Sequence, residues 1–438
     1  MLNRNRLNHC CDLIENIPSH RMVAHQLCSS SLATDDPAKV TIIGAGPSGL
    51  ATAAWLKTYG IPYIILERAD CIASLWKNGM YDRLRMHTGK HYCELPFKSM
   101  PDSYPTYLKR DQFVDYLEEY ARNFQIEPYF NETVVQASYN HHAKSWEVHT
   151  RRSEPNANQR QFDRDNTIKQ YFSKWLVVAT GENAEAVIAD LPGLENFEGI
   201  VLHSSQYKNA LPFKGKKVLV VGAGNSGMEI ALDLSSTESI TTSLAVRGPL
   251  HVLPREMFGS STFSLIMKLC KIFPVRFVDR VLVAYSQLKF GDTLLYGLRR
   301  PKIGPLELKN AMGKTPVLDV GTVSMIKNGC IEVKPGVDCV SSSTVRFVDN
   351  SSETYDALVL ATGYRSNVPS WLHDEYGLFT EQGLCKSCKD AWKGRNGLYA
   401  VGLSGKGLSV AMEDARRIAD HILHAYTELA PTRIDKFI

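Results

Sequence analysis

The pattern Gly-x-Gly-x-x-Gly occurs twice in this chain, each time directly after a short run of apolar, β-branched residues. Lys39-Val-Thr-Ile-Ile43 leads into Gly44-Ala-Gly46-Pro-Ser-Gly49, and Lys217-Val-Leu-Val-Val221 leads into Gly222-Ala-Gly224-Asn225-Ser226-Gly227, 178 residues later. A buried parallel strand, a glycine turn and a helix open a dinucleotide-binding βαβ unit. The predicted helices run over Leu50–Tyr59 and Met228–Leu234, and the predicted second strands over Tyr63–Leu66 and Thr242–Val246. The first glycine permits the tight turn. The second lets a pyrophosphate reach the amides at the positive helix end, and the third lets helix and strand pack closely.

The residues closing the second strands differ. Glu67 stands 23 residues past Gly44, where a carboxylate accepts hydrogen bonds from ribose hydroxyls. Arg247 stands 25 residues past Gly222 with no acid at the strand tip. An acid there repels a 2′-phosphate, whereas an arginine binds it with charge-assisted hydrogen bonds. The first fold therefore suits FAD and the second NADPH. A surface cation is the plain alternative for Arg247. Two nucleotide folds in one chain imply hydride transfer from a nicotinamide to a flavin.

Composition narrows the class. With 438 residues, 44% hydrophobic and 22% charged, the chain suits two or three globular domains. No apolar run is long enough to span a membrane. A net charge of +4 is too small an excess to suggest a nucleic-acid or membrane-surface binder. The 10 cysteines are scattered among long apolar strands and do not read as a disulfide framework. A reducing, cytoplasmic setting is expected, with the surface of the endoplasmic reticulum as an alternative.

Two further apolar runs, Leu176–Gly181 and Leu358–Gly363, each end in Ala-Thr-Gly. As a pair they read as crossings between two domains. A helix expected over Ser409–Tyr426 closes the flavin site, its N-terminus suited to the electron-rich edge of a reduced ring. The expected fold class is α/β, with two nested Rossmann-like domains. A flavin domain from 39–211 and 326–438 is interrupted by an NADPH domain over 212–325. Residues 1–38, with Cys10 and Cys11, read as a loosely ordered extension.

Between the nucleotide folds stands Phe197-Glu-Gly199-Ile-Val-Leu-His203-Ser-Ser-Gln-Tyr207, which matches the F-x-G-x-x-x-H-x-x-x-Y motif of the flavin-containing monooxygenases. Taken alone, His203 reads as an interface histidine. Tyr81–Arg85, Cys93–Pro96, Ala179–Ala184, His251–Met257, Gly313–Val320 and Gly363–Trp371 resemble the plant YUCCA flavin monooxygenases. The resemblance spans about residues 39 to 426. It implies an NADPH- and FAD-dependent monooxygenase acting on indole-3-pyruvate, a small 2-oxo acid, with O₂ to give the auxin indole-3-acetate through a C4a-peroxyflavin. A related monooxygenase of nitrogen or sulfur nucleophiles, and a weakly active redox-binding protein, are the alternatives. The stretches at Leu403–Gly407 and Met412–Ala415 are less typical and bear on substrate preference more than on chemistry. Where related enzymes place an asparagine beside the flavin, this chain has His87 followed by Thr88. These two are assigned to the flavin–oxygen pocket, with a structural loop histidine as the equal alternative.

Two other features carry less. Cys385-Lys-Ser-Cys388 is a lone C-x-x-C, without a second ligand pair at zinc-site spacing. Residues Phe263–Leu298 are apolar and basic, and read as a buried helical insertion beside the substrate pocket, with a lid or a contact with a membrane surface as the alternatives.

Overall fold

The computed structural model describes residues 39–152, 168–386 and 390–429. The 1–38 extension with Cys10 and Cys11, and Cys388 of the C-x-x-C, lie outside the described residues.

Each glycine turn heads a parallel sheet. In the first, the strand order is Tyr63–Leu66, Val40–Ile43, Trp175–Val178, Leu398–Ala400. Val40–Ile43 is buried throughout, as a strand covered on both faces requires. The helix Pro47–Thr58 follows the turn and packs on the closing helix Leu408–Leu429. That closing helix buries Ala411, Ala415, Ile418, Ala419 and Ile422 on one stripe, with Asp414 buried beside them, and leaves Arg416 and Arg417 to solvent.

The second sheet runs Ile331–Lys334, Thr241–Ala245, Lys217–Val221, Ala357–Leu360, Ile200–His203. Three of its five strands come from outside the expected 212–325 span. The second body therefore reaches from about residue 200 to about 360. The physical reason is pairing. Lys217–Val221 needs a neighbour on its other side, and the strand ending in the second Ala-Thr-Gly supplies it.

Each Ala-Thr-Gly strand lies beside its own glycine turn. A Cβ on Gly44 would lie 2.7 Å from the carbonyl oxygen of Ala179, and one on Gly222 would lie 2.5 Å from that of Ala361. Both glycines adopt positive φ, +105° and +107°. After each Ala-Thr-Gly the chain leaves one sheet for the other, so both are crossings as expected. The crossing segments also pair with each other, Glu185–Ala186 running antiparallel to Tyr364–Arg365.

The apolar insertion departs from expectation. It forms the helices Thr262–Leu269 and Val275–Phe290, but only one face is buried. Val278 and Leu282 pack against Leu253 and Met257, while Ile272 is 75% and Leu288 84% exposed. A helix docked on one neighbour hides one stripe, and here apolar residues extend beyond it.

Candidate functional site

Gly46 caps the Pro47–Thr58 helix with no side chain bonded to the first turn, and Pro47 fills its first position. The free amides at this end therefore face outward. A Cβ built on Gly46 meets no atom within 4 Å, whereas one on Gly49 would lie 2.0 Å from the carbonyl oxygen of Gly44. Gly49 is glycine because the protein needs the space, and Gly46 leaves space that the protein does not use. That space opens into a cavity of about 280 Å³ lined by Gly44, Gly46, Ser48, Glu67, Thr180 and Glu182, among others.

Glu67 is buried at the cavity edge. Its carboxylate accepts hydrogen bonds from the amides of Ala45 (2.7 Å) and Ala69 (3.0 Å) and so pins the glycine turn to the strand end. Glu182, directly after the first Ala-Thr-Gly, shares the cavity, and burial raises its pKa above the ordinary carboxyl value.

The second turn repeats this construction. Gly224 caps Asn225–Ser235 and a Cβ on it meets nothing within 4 Å, while one on Gly227 would lie 1.8 Å from the carbonyl oxygen of Gly222. Asn225 Oδ1 accepts from the amide of Leu318 (2.9 Å), so its side chain braces the turn against the next loop. Ser226 is half-buried in the first helical turn. Arg247 is exposed beyond the strand Thr241–Ala245, and no carboxylate pairs with it among the described residues. Both turns present a helix N-terminus over empty space that a side chain would fill. They fit two dinucleotides.

The motif residues Gly199, His203 and Tyr207 lie along the outer strand of the second sheet and the loop that follows it. A Cβ on Gly199 would lie 2.4 Å from the carbonyl oxygen of Asp356, so only glycine admits this approach. His203 is buried, donates from Nε2 to the carbonyl of Gly363 (3.1 Å) and accepts at Nδ1 from the amide of Ser205 (3.2 Å). These partners select the neutral ring protonated on Nε2. Burial holds its pKa below the ordinary histidine value. Tyr207 donates to Asp233 Oδ2 (2.6 Å) on the second turn's helix.

His87 and Thr88 sit at the seam and do not line the first cavity. His87 Nε2 lies 2.8 Å from Glu229 Oε1, on the same helix as Asp233, and Nδ1 is buried without a partner. Thr88 Oγ1 lies 3.1 Å from the buried Cys93 Sγ. The buried Tyr81 also neighbours Glu229, and burial reinforced by that carboxylate raises its pKa.

Sequence reasoning missed a second cavity of about 540 Å³ between the bodies, lined by Arg83, Arg85, Glu229, Asp233 and Arg255, among others. Arg255 Nε is buried without a partner, and its guanidinium lies 4.2 Å from the Tyr107 ring centroid. The stretch His251–Met257 carried the signal, but nothing in the sequence said that its arginine faces the other body. Among the described residues no cluster of His, Cys, Asp and Glu is suited to a metal ion.

Known proteins place this geometry. The flavin-binding monooxygenase-like family profile matches residues 37–387. Indole-3-pyruvate monooxygenase YUCCA8 of Oryza sativa subsp. indica is 48% identical over 391 residues, covering 88% of this chain and 91% of that protein. Probable indole-3-pyruvate monooxygenase YUCCA3 of Arabidopsis thaliana is 49% identical over 388 residues, covering 88% of this chain and 87% of that protein. The fold is shared with a solved flavin-containing monooxygenase from Stenotrophomonas maltophilia, with a TM-score of 0.64 at 20% identity over 90% of this chain and 99% of that one. The chain belongs to the flavin-binding monooxygenase-like family, in its plant YUCCA-type branch.

Proposed function

We infer that the chain converts indole-3-pyruvate, NADPH and O₂ to indole-3-acetate, CO₂, NADP⁺ and water. The observation that carries this reading is the pair of open glycine turns in series, one per body, in a chain 48% identical to a named indole-3-pyruvate monooxygenase. Bound FAD supplies a two-electron carrier that accepts hydride from NADPH and activates O₂.

The chain's own residues supply binding and orientation. Gly46 and Gly224 admit phosphate oxygens to the helix amides. Arg247 offers its guanidinium to a 2′-phosphate. Glu182 faces the first cavity, where burial raises its pKa above the ordinary carboxyl value. Arg85 and Arg255 face the seam cavity, where Asp82, Asp111, Glu229 and Asp233 balance its four cations. His87 of the first body faces Glu229 across the seam at 2.8 Å.

The test is turnover by purified holoenzyme with indole-3-pyruvate, phenylpyruvate and a tertiary amine, following NADPH consumption and product mass. Indole-3-acetate formed in step with NADPH oxidation is expected. Efficient N-oxidation of the amine with no acid from either 2-oxo acid would reassign the substrate class.

A further inference from the structure

The net charge of +4 conceals an uneven distribution. Residues 258–314 carry ten Lys and Arg against three acids, Asp279, Asp292 and Glu307, so the rest of the chain sums to −3. Two of those acids are engaged internally. Asp279 is buried and accepts from the amides of Leu306 and Glu307, and Glu307 pairs with Arg276 at 2.7 Å.

The same segment exposes large apolar side chains. At the turn between Thr262–Leu269 and Val275–Phe290, Ile272 is 75%, Phe273 40% and Phe277 46% exposed, and the two phenyl rings meet at 4.8 Å. Along the second helix Phe277, Arg280, Ala284 and Leu288 fall at a spacing of three, four and four residues, which places them on one face. That face is turned away from the buried Val278 and Leu282. Lys268, Lys271 and Arg280 flank it with no carboxylate partner among the described residues. The first helix is held to the flavin body through Phe263, whose ring meets Tyr92 at 4.9 Å. The tip is thus presented by a fixed support.

We propose that this hairpin is a docking surface for an anionic lipid bilayer, with Ile272, Phe273, Phe277 and Leu288 entering the headgroup boundary and Lys268, Lys271 and Arg280 meeting the lipid charge. The second helix lies in the interface plane and does not cross, as an amphipathic helix with a basic flank does. Charge complementarity selects the occupant. A second copy of this chain would bring the same basic surface and repel it, whereas an anionic leaflet attracts it. The inference is independent of the substrate.

Co-sedimentation of the FAD-loaded protein with vesicles tests it. Binding is expected to phosphatidylcholine vesicles containing phosphatidylserine, and to be far weaker without phosphatidylserine or at high salt. Each surface lysine is worth about fivefold in partitioning, so replacing Lys268 and Lys271 together by Gln lowers it about thirtyfold. Ile272→Glu also abolishes binding. Both variants keep their flavin absorbance and melting temperature, which separates lost docking from lost folding. Lack of sedimentation with anionic vesicles overturns the proposal. So does equal sedimentation of the variants, or loss of a dimer in Ile272→Glu without any vesicle binding.

Discussion

His203 holds Gly363 through its carbonyl, at 3.1 Å from Nε2, and thereby ties the family motif to the turn where the chain returns to the flavin body. The histidine of the motif is thus a clasp between crossings. Its ring packs edge-on against Tyr364 at 5.1 Å, which leaves little room for rotation. His203→Ala is expected to cost about 1–3 kcal/mol of stability, since the Gly363 carbonyl loses its partner. Chemical denaturation checks this, and an unchanged midpoint would show that the clasp carries no load.

Acid stability follows from the same residue. Burial lowers the pKa values of His203, His251 and His421 below the ordinary histidine value of 6.5. The unfolded chain therefore binds more protons than the folded chain between the folded pKa values and 6.5. The stabilisation is fully present above pH 6.5 and is lost as pH falls through that window toward the folded values. Melting temperature measured from pH 7.5 downward should begin to drop near 6.5, with a shallower drop in His203→Gln.

The glycines of each turn separate ligand from fold. Gly46→Val should fold but lose FAD, because its Cβ meets no protein atom within 4 Å. Gly49→Val should fail to fold, because its Cβ would lie 2.0 Å from the Gly44 carbonyl oxygen. Gly224→Val should remain yellow and resist reduction by NADPH. Absorbance and circular dichroism of the three proteins decide the matter, and a colourless but folded Gly224→Val would mean the two turns are misassigned.

Cofactor choice rests on Arg247. Losing a charged hydrogen bond costs about 1.5–3 kcal/mol, roughly ten- to 150-fold in affinity. Arg247→Ala should weaken NADP⁺ binding by that factor and leave NAD⁺ binding nearly unchanged, measured by calorimetry. Equal losses for both would make Arg247 a surface cation.

What the sequence made legible follows from how local each constraint is. Both glycine turns were readable because positive φ at Gly44 and Gly222 and close packing at Gly49 and Gly227 demand glycine at fixed spacing. The closing helix was readable from its apolar stripe. The extent of the second sheet was not, because Ile200–His203 and Ala357–Leu360 pair across more than 150 residues, beyond any local pattern. The orphaned Arg255 and the carboxyl of Glu182 were likewise hidden, since burial and partnership are properties of the folded surroundings. The exposed insertion misled for a related reason. Apolar residues count alike in composition whether they face the core or the solvent.

The two segments that carry the chain between the bodies are bonded to each other, Glu185 opposite Arg365 and Ala186 opposite Tyr364. The connection is therefore a ribbon and not a pair of independent threads. Threads would let the second body tumble; a two-stranded ribbon bends about the axis across its face and resists twisting and shearing. The pairing therefore holds the second turn on its bearing to the first more firmly than two separate threads would.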